Sequence, residues 1–468
     1  MGLAAGMAAA ALAALGVLVP PPFLLAGIGL ALVLAGVAFH PPLAGYVLLV
    51  ATPLLAGIER GAVVPVVRPA EALVGVVAAG LLARGAVRLL AGEAGRPRLH
   101  EVDGAVVAMA LAGSVLPLLW MLARGRHITG DDLQFALQLW KYAVVYATFR
   151  TAVRTEGQVR RCLWLAMAAA GVVAVVAILQ ALRLFGVDAL LARWYTSSGP
   201  EYLWRFRGTS TLASSFAVGD VMVFNLAIAV GLLGRDGRHK RALVALAGLF
   251  LFGLVASGQF SAGLALLVTL GGLALLDRRV RRHTLVLLPF ILLAGVALRP
   301  VIDRRLSGFG ALGGLRQSWM VRLLNLRSYF WPELFTDWHW VLGVRPAARV
   351  RTVISWPEYT WIESGHTWLL WTGGVPLLLA FLVFLWVAIR RTFSVAQART
   401  DAVGVAGIAS FTSLLVVALL MTLDVHLTLR GAADLFFALL ALAMTGAGPG
   451  GLRTAGAPAV RRNGRWSR

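Results

Sequence analysis

The stretch Trp361–Ala388, "WIESGHTWLLWTGGVPLLLAFLVFLWVA", sets a Glu, a Ser and a His directly in front of an apolar run. From Trp368 to Ala388 that run is long enough to cross a bilayer, which takes about 20 mostly apolar residues. Comparable runs recur from end to end of the 468-residue chain, which is 59% hydrophobic and 14% charged, with a mean hydropathy of +0.81. An ordinary soluble globule does not have this composition. In lipid, helices satisfy every backbone polar group internally, so the fold class is all-α, a polytopic membrane protein of about 12–14 transmembrane helices.

Fourteen spans are expected, near 3–19, 23–39, 43–58, 69–83, 104–122, 133–149, 162–182, 212–233, 241–256, 259–276, 284–298, 366–389, 403–423 and 433–447. The chain start lacks a basic segment, so the first run reads as a retained span. The basic residues then orient the set. Connections 84–103, 150–161, 234–241 and 277–283 carry four Lys/Arg each, whereas 59–68, 123–132, 257–258 and 424–432 carry two, two, none and one. This alternation places both termini in the cytoplasm of a multi-pass protein of the cytoplasmic membrane. The net charge of +22 is then a property of cytoplasmic loops and their lipid phosphates, not a sign of nucleic acid. Residues 1–447 form the membrane domain, and 448–468 read as a disordered cytoplasmic tail. The single cysteine, Cys162, falls in an apolar run and reads as a small core residue.

Two extracytoplasmic connections are long, 183–211 and 299–365. The second carries nine arginines against five acids, yet is rich in Trp and Leu, so it is expected to be ordered. Within "GLRQSWMVRLLNLRSYFWPEL", Leu315, Trp319, Leu323, Leu326 and Phe330 fall on one helical stripe. Arg316 and Arg327 are read at the edge of that stripe and Arg322 as pointing away from it. The result is an amphipathic helix along the outer membrane face presenting two guanidinia. A second arginine group, Arg205 and Arg207 in "YLWRFRGTSTLASSF", stands beside Gly208 and a run of small hydroxyl residues. Guanidinium pairs phosphate bidentately and Gly permits close backbone approach, so this segment suits a diphosphate.

Glycosyl transfer from a lipid diphosphate is the chemistry such parts support. Arginines take up charge as the glycosidic bond breaks, and a neutral His accepts the proton of the attacking hydroxyl. No HxxxH, HExxH or DxD cluster occurs on the outer face, so no metal or other cofactor is expected. Glu363 and His366, three residues apart, share a face at a helix start, where Glu363 would orient the imidazole. Ser364 reads instead as an N-cap.

With these residues in hand, the chain resembles the O-antigen ligase and polymerase family of polytopic glycosyltransferases over roughly 130–445. The resemblance rests on "RFRGTSTLASS", "ASGQFSAGLALLVTL", "RSYFWPELFTDWHWVLGVRP" and "GHTWLLWTGGVPLLLAF", in that order and topology. It implies inverting, metal-independent transfer of glycan from a polyprenyl-diphosphate carrier to a glycan or lipid acceptor hydroxyl outside the membrane. It also implies that Arg207 and Arg327 bind the diphosphate and that His366 is the base, with Arg205 and Arg316 in reserve. The rival class is a lipid-linked oligosaccharide flippase or exporter, which would string polar residues along several spans. A different polyprenyl-dependent transferase would carry paired acids in its first outer loop, which this chain lacks. Finally, Lys141 and Asp220 lie at equal expected depth inside two spans, so pairing is the economical reading; the competing one has Lys141 meeting the carrier's diphosphate and Asp220 facing Arg207.

Overall fold

The computed structural model of the chain describes residues 21–61, 63, 67–93, 99–195, 207–236, 239–276, 278–306, 317–351 and 359–446. The first expected span and the C-terminal tail therefore lie outside the described residues. What is described is nearly all helix. Helices α1 (Pro21–Phe39) and α2 (Pro42–Leu55) part at His40–Pro41, and α3 (Pro69–Leu90) opens on a proline, whose missing N–H is an orphan position anyway. Next come α4 (Glu101–Ala112) and α5 (Val115–Ala123), one apolar rod interrupted at Gly113, then α6 (Gly130–Ala136) and α7 (Gln138–Ala152), interrupted at Leu137. The chain continues through α8 (Glu156–Ala181), α9 (Val187–Trp194), α10 (Ser215–Arg235), α11 (Lys240–Ala256), α12 (Phe260–Ala274), α13 (Arg278–Thr284), α14 (Leu288–Ala297) and α15 (Arg299–Leu306). After α16 (Gln317–Asn325) follow α17 (Trp331–Phe335) and α18 (His339–Leu342). A hairpin pairs β1 (Arg349–Arg351) antiparallel with β2 (Tyr359–Trp361), and α19 (Gly365–Ala398), α20 (Ala402–Leu420) and α21 (Ala432–Ala443) complete the bundle.

Polar side chains set the helix starts. Thr129 with Asp132 and Thr155 with Gln158 form capping boxes, and Ser214, Ser364 and Asp401 accept from the N–H groups of Ala217, Thr367 and Gly404. Among the described residues, seven helical stretches are long and apolar enough to cross a membrane: 69–90, 101–123, 156–181, 215–235, 280–297, 365–398 and 402–420. Shorter apolar helices occupy 27–39, 42–55, 260–274 and 432–443. This is the helix set of a multi-pass membrane protein. Its centre is α10: 94% of its apolar window is buried, against 22% for α3, and α8, α11, α12, α20 and α21 pack around it. Cys162 is buried in α8.

Polar anchors mark two ends of the bundle. At one end Arg150 meets Asp103 and the Met444 carbonyl, Arg160 meets Asp236, and Arg235 holds the carbonyls of Ala396 and Arg399. At the other end lie the connections 56–68, 124–129 and 421–431, together with the segment 317–364. That segment is docked onto the bundle by charge. Arg345 pairs with Asp132 at 2.7 Å, Arg349 with Asp131, and Arg126 with Glu333 at 2.9 Å. Part of the arginine excess read in this loop thus serves to hold the loop down.

A break in α19 completes the docking. Pro376 cannot donate to the carbonyl of Thr372, and Gly374 turns to φ 64°, a conformation that favours glycine. The Trp371 carbonyl then accepts the N–H of Val344 at 2.7 Å, while the Trp371 indole N–H donates to Ala347 at 3.0 Å. Gly374 has no room for a side chain, because a Cβ there would overlap the Val341 carbonyl. Phe330 stacks edge-on against Trp371 with ring centroids 5.2 Å apart.

Candidate functional site

The connection Met421–Gly431, between α20 and α21, is the hub of the loop-bearing end. Its residue Met421 accepts the N–H of Gly365, tying the start of α19 to it at 2.7 Å. The Arg322 guanidinium reaches the Leu423 carbonyl at 3.0 Å and stands 3.4 Å from both the Asp424 and Glu363 carboxylates. It also lies over the Phe216 ring, 5.4 Å from the centroid. Two residues further along, the His426 Nδ1–H donates to the Asp220 carboxylate at 2.8 Å, with both side chains almost fully enclosed and Phe216 packed edge-on against the imidazole. The His426 Nε2 is buried with no partner among the described residues. Thr428 accepts the Tyr142 hydroxyl at 2.9 Å, and Gly431 donates to Asp434, whose carboxylate is held by Lys141 at 2.7 Å.

Electrostatics distinguish these groups. Burial pushes the Glu363 carboxyl up to about 7; Arg322 opposes the shift and Asp424 adds to it. Burial also works against a charged His426, but the Asp220 carboxylate outweighs it and leaves the imidazole above its usual range. A carboxyl near 7 is half ionised at neutral pH, so Glu363 can accept a proton there and release it again.

This arrangement corrects several readings of the sequence. Lys141 and Asp220 do not pair: Lys141 goes to Asp434 and Asp220 to His426. Equal depth put the two charges in register, but each met a partner supplied by the same connection or the turn after it. Arg322 does not point away. It lies four residues before Leu326 and eight before Phe330, the two buried members of the stripe, whereas Trp319 and Leu323 are exposed. At about 100° per residue Arg322 falls just beside the stripe, next to the buried Leu326.

Arg327, read at the stripe's edge, sits in a π turn, Leu326–Phe330, ahead of Pro332. It is exposed and makes no hydrogen bond or ion pair with a described residue. Ser364 is the N-cap of α19, as read. Glu363, one residue earlier, turns to Arg322, and no hydrogen bond joins it to His366. His366 is half-buried in the first turn of α19, next to the Gly365–Met421 contact.

Arg207 is half-buried at the far side of the same end. Gly208 does permit a close backbone approach, but to helices α8 and α11: its N–H donates to Ala256 at the end of α11, and a Cβ would come within 2.6 Å of the Ala177 carbonyl in α8. The hydroxyl run beyond it is equally committed. Thr209 and Ser210 bind Gln180, Ser210 also reaches Val173, and Thr211 reaches Pro53 at 2.8 Å. No contact between described residues joins Arg207 to Arg327. Arg205 and Arg316 lie outside the described residues. The groups missed are Arg322, Asp424 and His426; the signal was "MTLDVHLTLRGAAD", where a short connection between apolar runs spends two acids, a His and an Arg. No protein-family model matches the chain, and no curated protein sequence matches it.

Proposed function

We propose that the protein transfers glycan from a polyprenyl-diphosphate carrier to an acceptor hydroxyl, at the bundle end that carries Arg322, Glu363 and His366. The observation that carries this reading is a half-buried carboxyl, raised to about 7, that stands 3.4 Å from a guanidinium at the loop-bearing end of an apolar bundle. In the step proposed, Glu363 takes the proton of the acceptor hydroxyl as its oxygen attacks the anomeric carbon. The bond to the diphosphate breaks, and the leaving oxygen departs with the electron pair toward arginine. Arg327 is exposed for that task, Arg207 keeps the diphosphate role that the resemblance implies, and Glu363 takes the role of base that the resemblance gives to His366. By charge alternation this end faces outward from the cytoplasmic membrane. Among the described residues the ionisable groups gather toward the two ends of the bundle, which favours a transferase over a flippase or exporter.

The test is the pH dependence of transfer from a lipid-linked oligosaccharide by protein in liposomes. With Glu363 as the base, the rate should rise as pH passes through about 7, and Glu363→Gln should abolish both the rate and its rise. A variant that keeps the wild-type profile would remove Glu363 from the mechanism, and a His366→Ala variant that alone loses turnover would return the role to His366.

A further inference from the structure

A groove of about 510 Å³ opens between α3 and α7, beside the turn that joins α1 to α2. It lies at the end of the bundle where Arg150 meets Asp103, opposite the loop-bearing end. Its walls are apolar, with Ala78, Leu81 and Leu82 on α3 and Val144 and Ala147 on α7. Leu82 is 72% exposed and Ala147 is exposed too, so the groove is open along its outer side. Ala78 stands near the middle of the 22-residue α3 and Arg88 in its last turn. Between them the helix advances about 15 Å at 1.5 Å per residue. That is the depth of one leaflet in a hydrocarbon core of about 30 Å.

The surface end of the groove is cationic. Arg84, Arg88 and Arg154 line it, and no Asp or Glu does among the described residues. Arg84 donates through Nη1 to the carbonyls of Ala38 and Phe39 at 2.8 and 3.2 Å, and Arg154 donates through Nε to Thr151 at 3.1 Å. The other guanidinium nitrogens of both have no partner among the described residues. Arg88 meets only Glu93, at 3.7 Å, and at 42% and 65% exposure such a pair is weak. The other acids nearby are committed elsewhere: Asp103 to Arg150, Glu156 to Arg160 and Glu101 to Arg391.

A free anion would match the guanidinia and leave the apolar walls bare. An uncharged lipid would do the opposite. A phospholipid with a net negative headgroup satisfies both, because guanidinium pairs phosphate bidentately and a chain one leaflet long fits the wall. We propose that this groove binds one anionic phospholipid of the cytoplasmic leaflet. Arg84, Arg88 and Arg154 take its phosphate, and an acyl chain lies against Leu81, Leu82 and Ala147. Charge alternation gives the leaflet. The site is remote from Glu363 and does not depend on the transfer reading.

The experiment counts lipids bound to the full-length protein in detergent by native mass spectrometry. The probes are palmitoyl-oleoyl phosphatidylglycerol, phosphatidylcholine with the same chains, and glycerol phosphate, which has the charge and no chain. Phosphatidylglycerol should bind one to one and about tenfold or more tighter than phosphatidylcholine, and glycerol phosphate should not bind. Arg88→Ala with Arg154→Ala should remove about tenfold or more of that affinity; Arg84 is left in place because it ties α3 to α1. Arg161→Ala, an exposed arginine at the same end and outside the groove, should change nothing. Ala147→Trp, which fills the groove and keeps every arginine, should weaken binding as well. Equal affinity for the two lipids overturns the proposal whether or not the double variant folds. So does wild-type affinity in the double variant or in Ala147→Trp. A loss in Arg161→Ala as large as in the double variant shows general surface charge and overturns the site, and glycerol phosphate that binds as tightly as phosphatidylglycerol overturns the lipid as its occupant.

Discussion

Arg322→Ala is the perturbation whose size follows most directly from the geometry. The guanidinium is 3.0 Å from the Leu423 carbonyl and 3.4 Å from each of two carboxylates, and its side chain is 18% exposed, against 32% for Glu363 and 16% for Asp424. Removing it strands both carboxyls. For a fully buried pair such a loss is about 3–5 kcal/mol; the longer contacts and the partial exposure of Glu363 reduce it here to about 2–3 kcal/mol. With an unfolding entropy of about 2.1 cal/mol/K per residue, a chain of 468 residues loses roughly 1 kcal/mol per degree. The midpoint should therefore fall by roughly 2–3 °C. Cys162, the single thiol and fully buried, supplies the assay: a thiol-reactive fluorophore labels it only as the bundle opens. Adding Glu363→Gln and Asp424→Asn to Arg322→Ala should recover most of the loss, since no carboxylate is then left without its cation. An Arg322→Ala protein that melts with wild type, or a triple variant no better than the single one, would refute the reasoning.

Further outcomes follow from other contacts. Glu363→Gln should be more stable than wild type at pH 8 and no more stable near pH 4. The folded carboxyl, raised to about 7, contributes stability fully only below its ordinary value of 4.5 and loses that contribution as pH rises through 7. Asp434→Asn should lower the yield of folded protein by leaving Lys141 without its carboxylate, a loss of about 3 kcal/mol, and the exchange Lys141→Asp with Asp434→Lys should restore it in a detergent-solubility assay. Gly374→Ala should impair folding far more than Gly263→Ala, because Gly374 has positive φ and meets the Val341 carbonyl, while Gly263 faces open space; size-exclusion profiles of the two variants check this. Arg327→Ala should stop glycan transfer while its melting curve stays with wild type, since Arg327 is exposed and anchors nothing described.

The helical class was legible because apolar runs of bilayer length state it directly, and the Ser364 cap was legible because a hydroxyl ahead of an apolar run has few other uses. The partners of buried charges were not. Depth along a span constrains a charge in one dimension, whereas Lys141 and Asp220 found Asp434 and His426 through helix adjacency that no local pattern carries. Arg322 is a different case. The stripe is only half buried, with Leu326 and Phe330 inside and Trp319 and Leu323 exposed, and helical spacing already put Arg322 beside Leu326, so that its inward turn was readable from the spacing. Gly208 matched a phosphate-binding pattern for a generic reason, close backbone approach, which α8 uses instead.

The central claim is glycan transfer with Glu363 as the proton acceptor. Its most direct test follows release of polyprenyl diphosphate from a lipid-linked oligosaccharide by the purified protein in liposomes, with an acceptor glycan or lipid present, with and without a chelator. The account predicts acceptor-dependent release that a chelator leaves unchanged and that Glu363→Gln abolishes. Release that proceeds at full rate in Glu363→Gln would contradict it, as would movement of intact oligosaccharide lipid across the bilayer with no release.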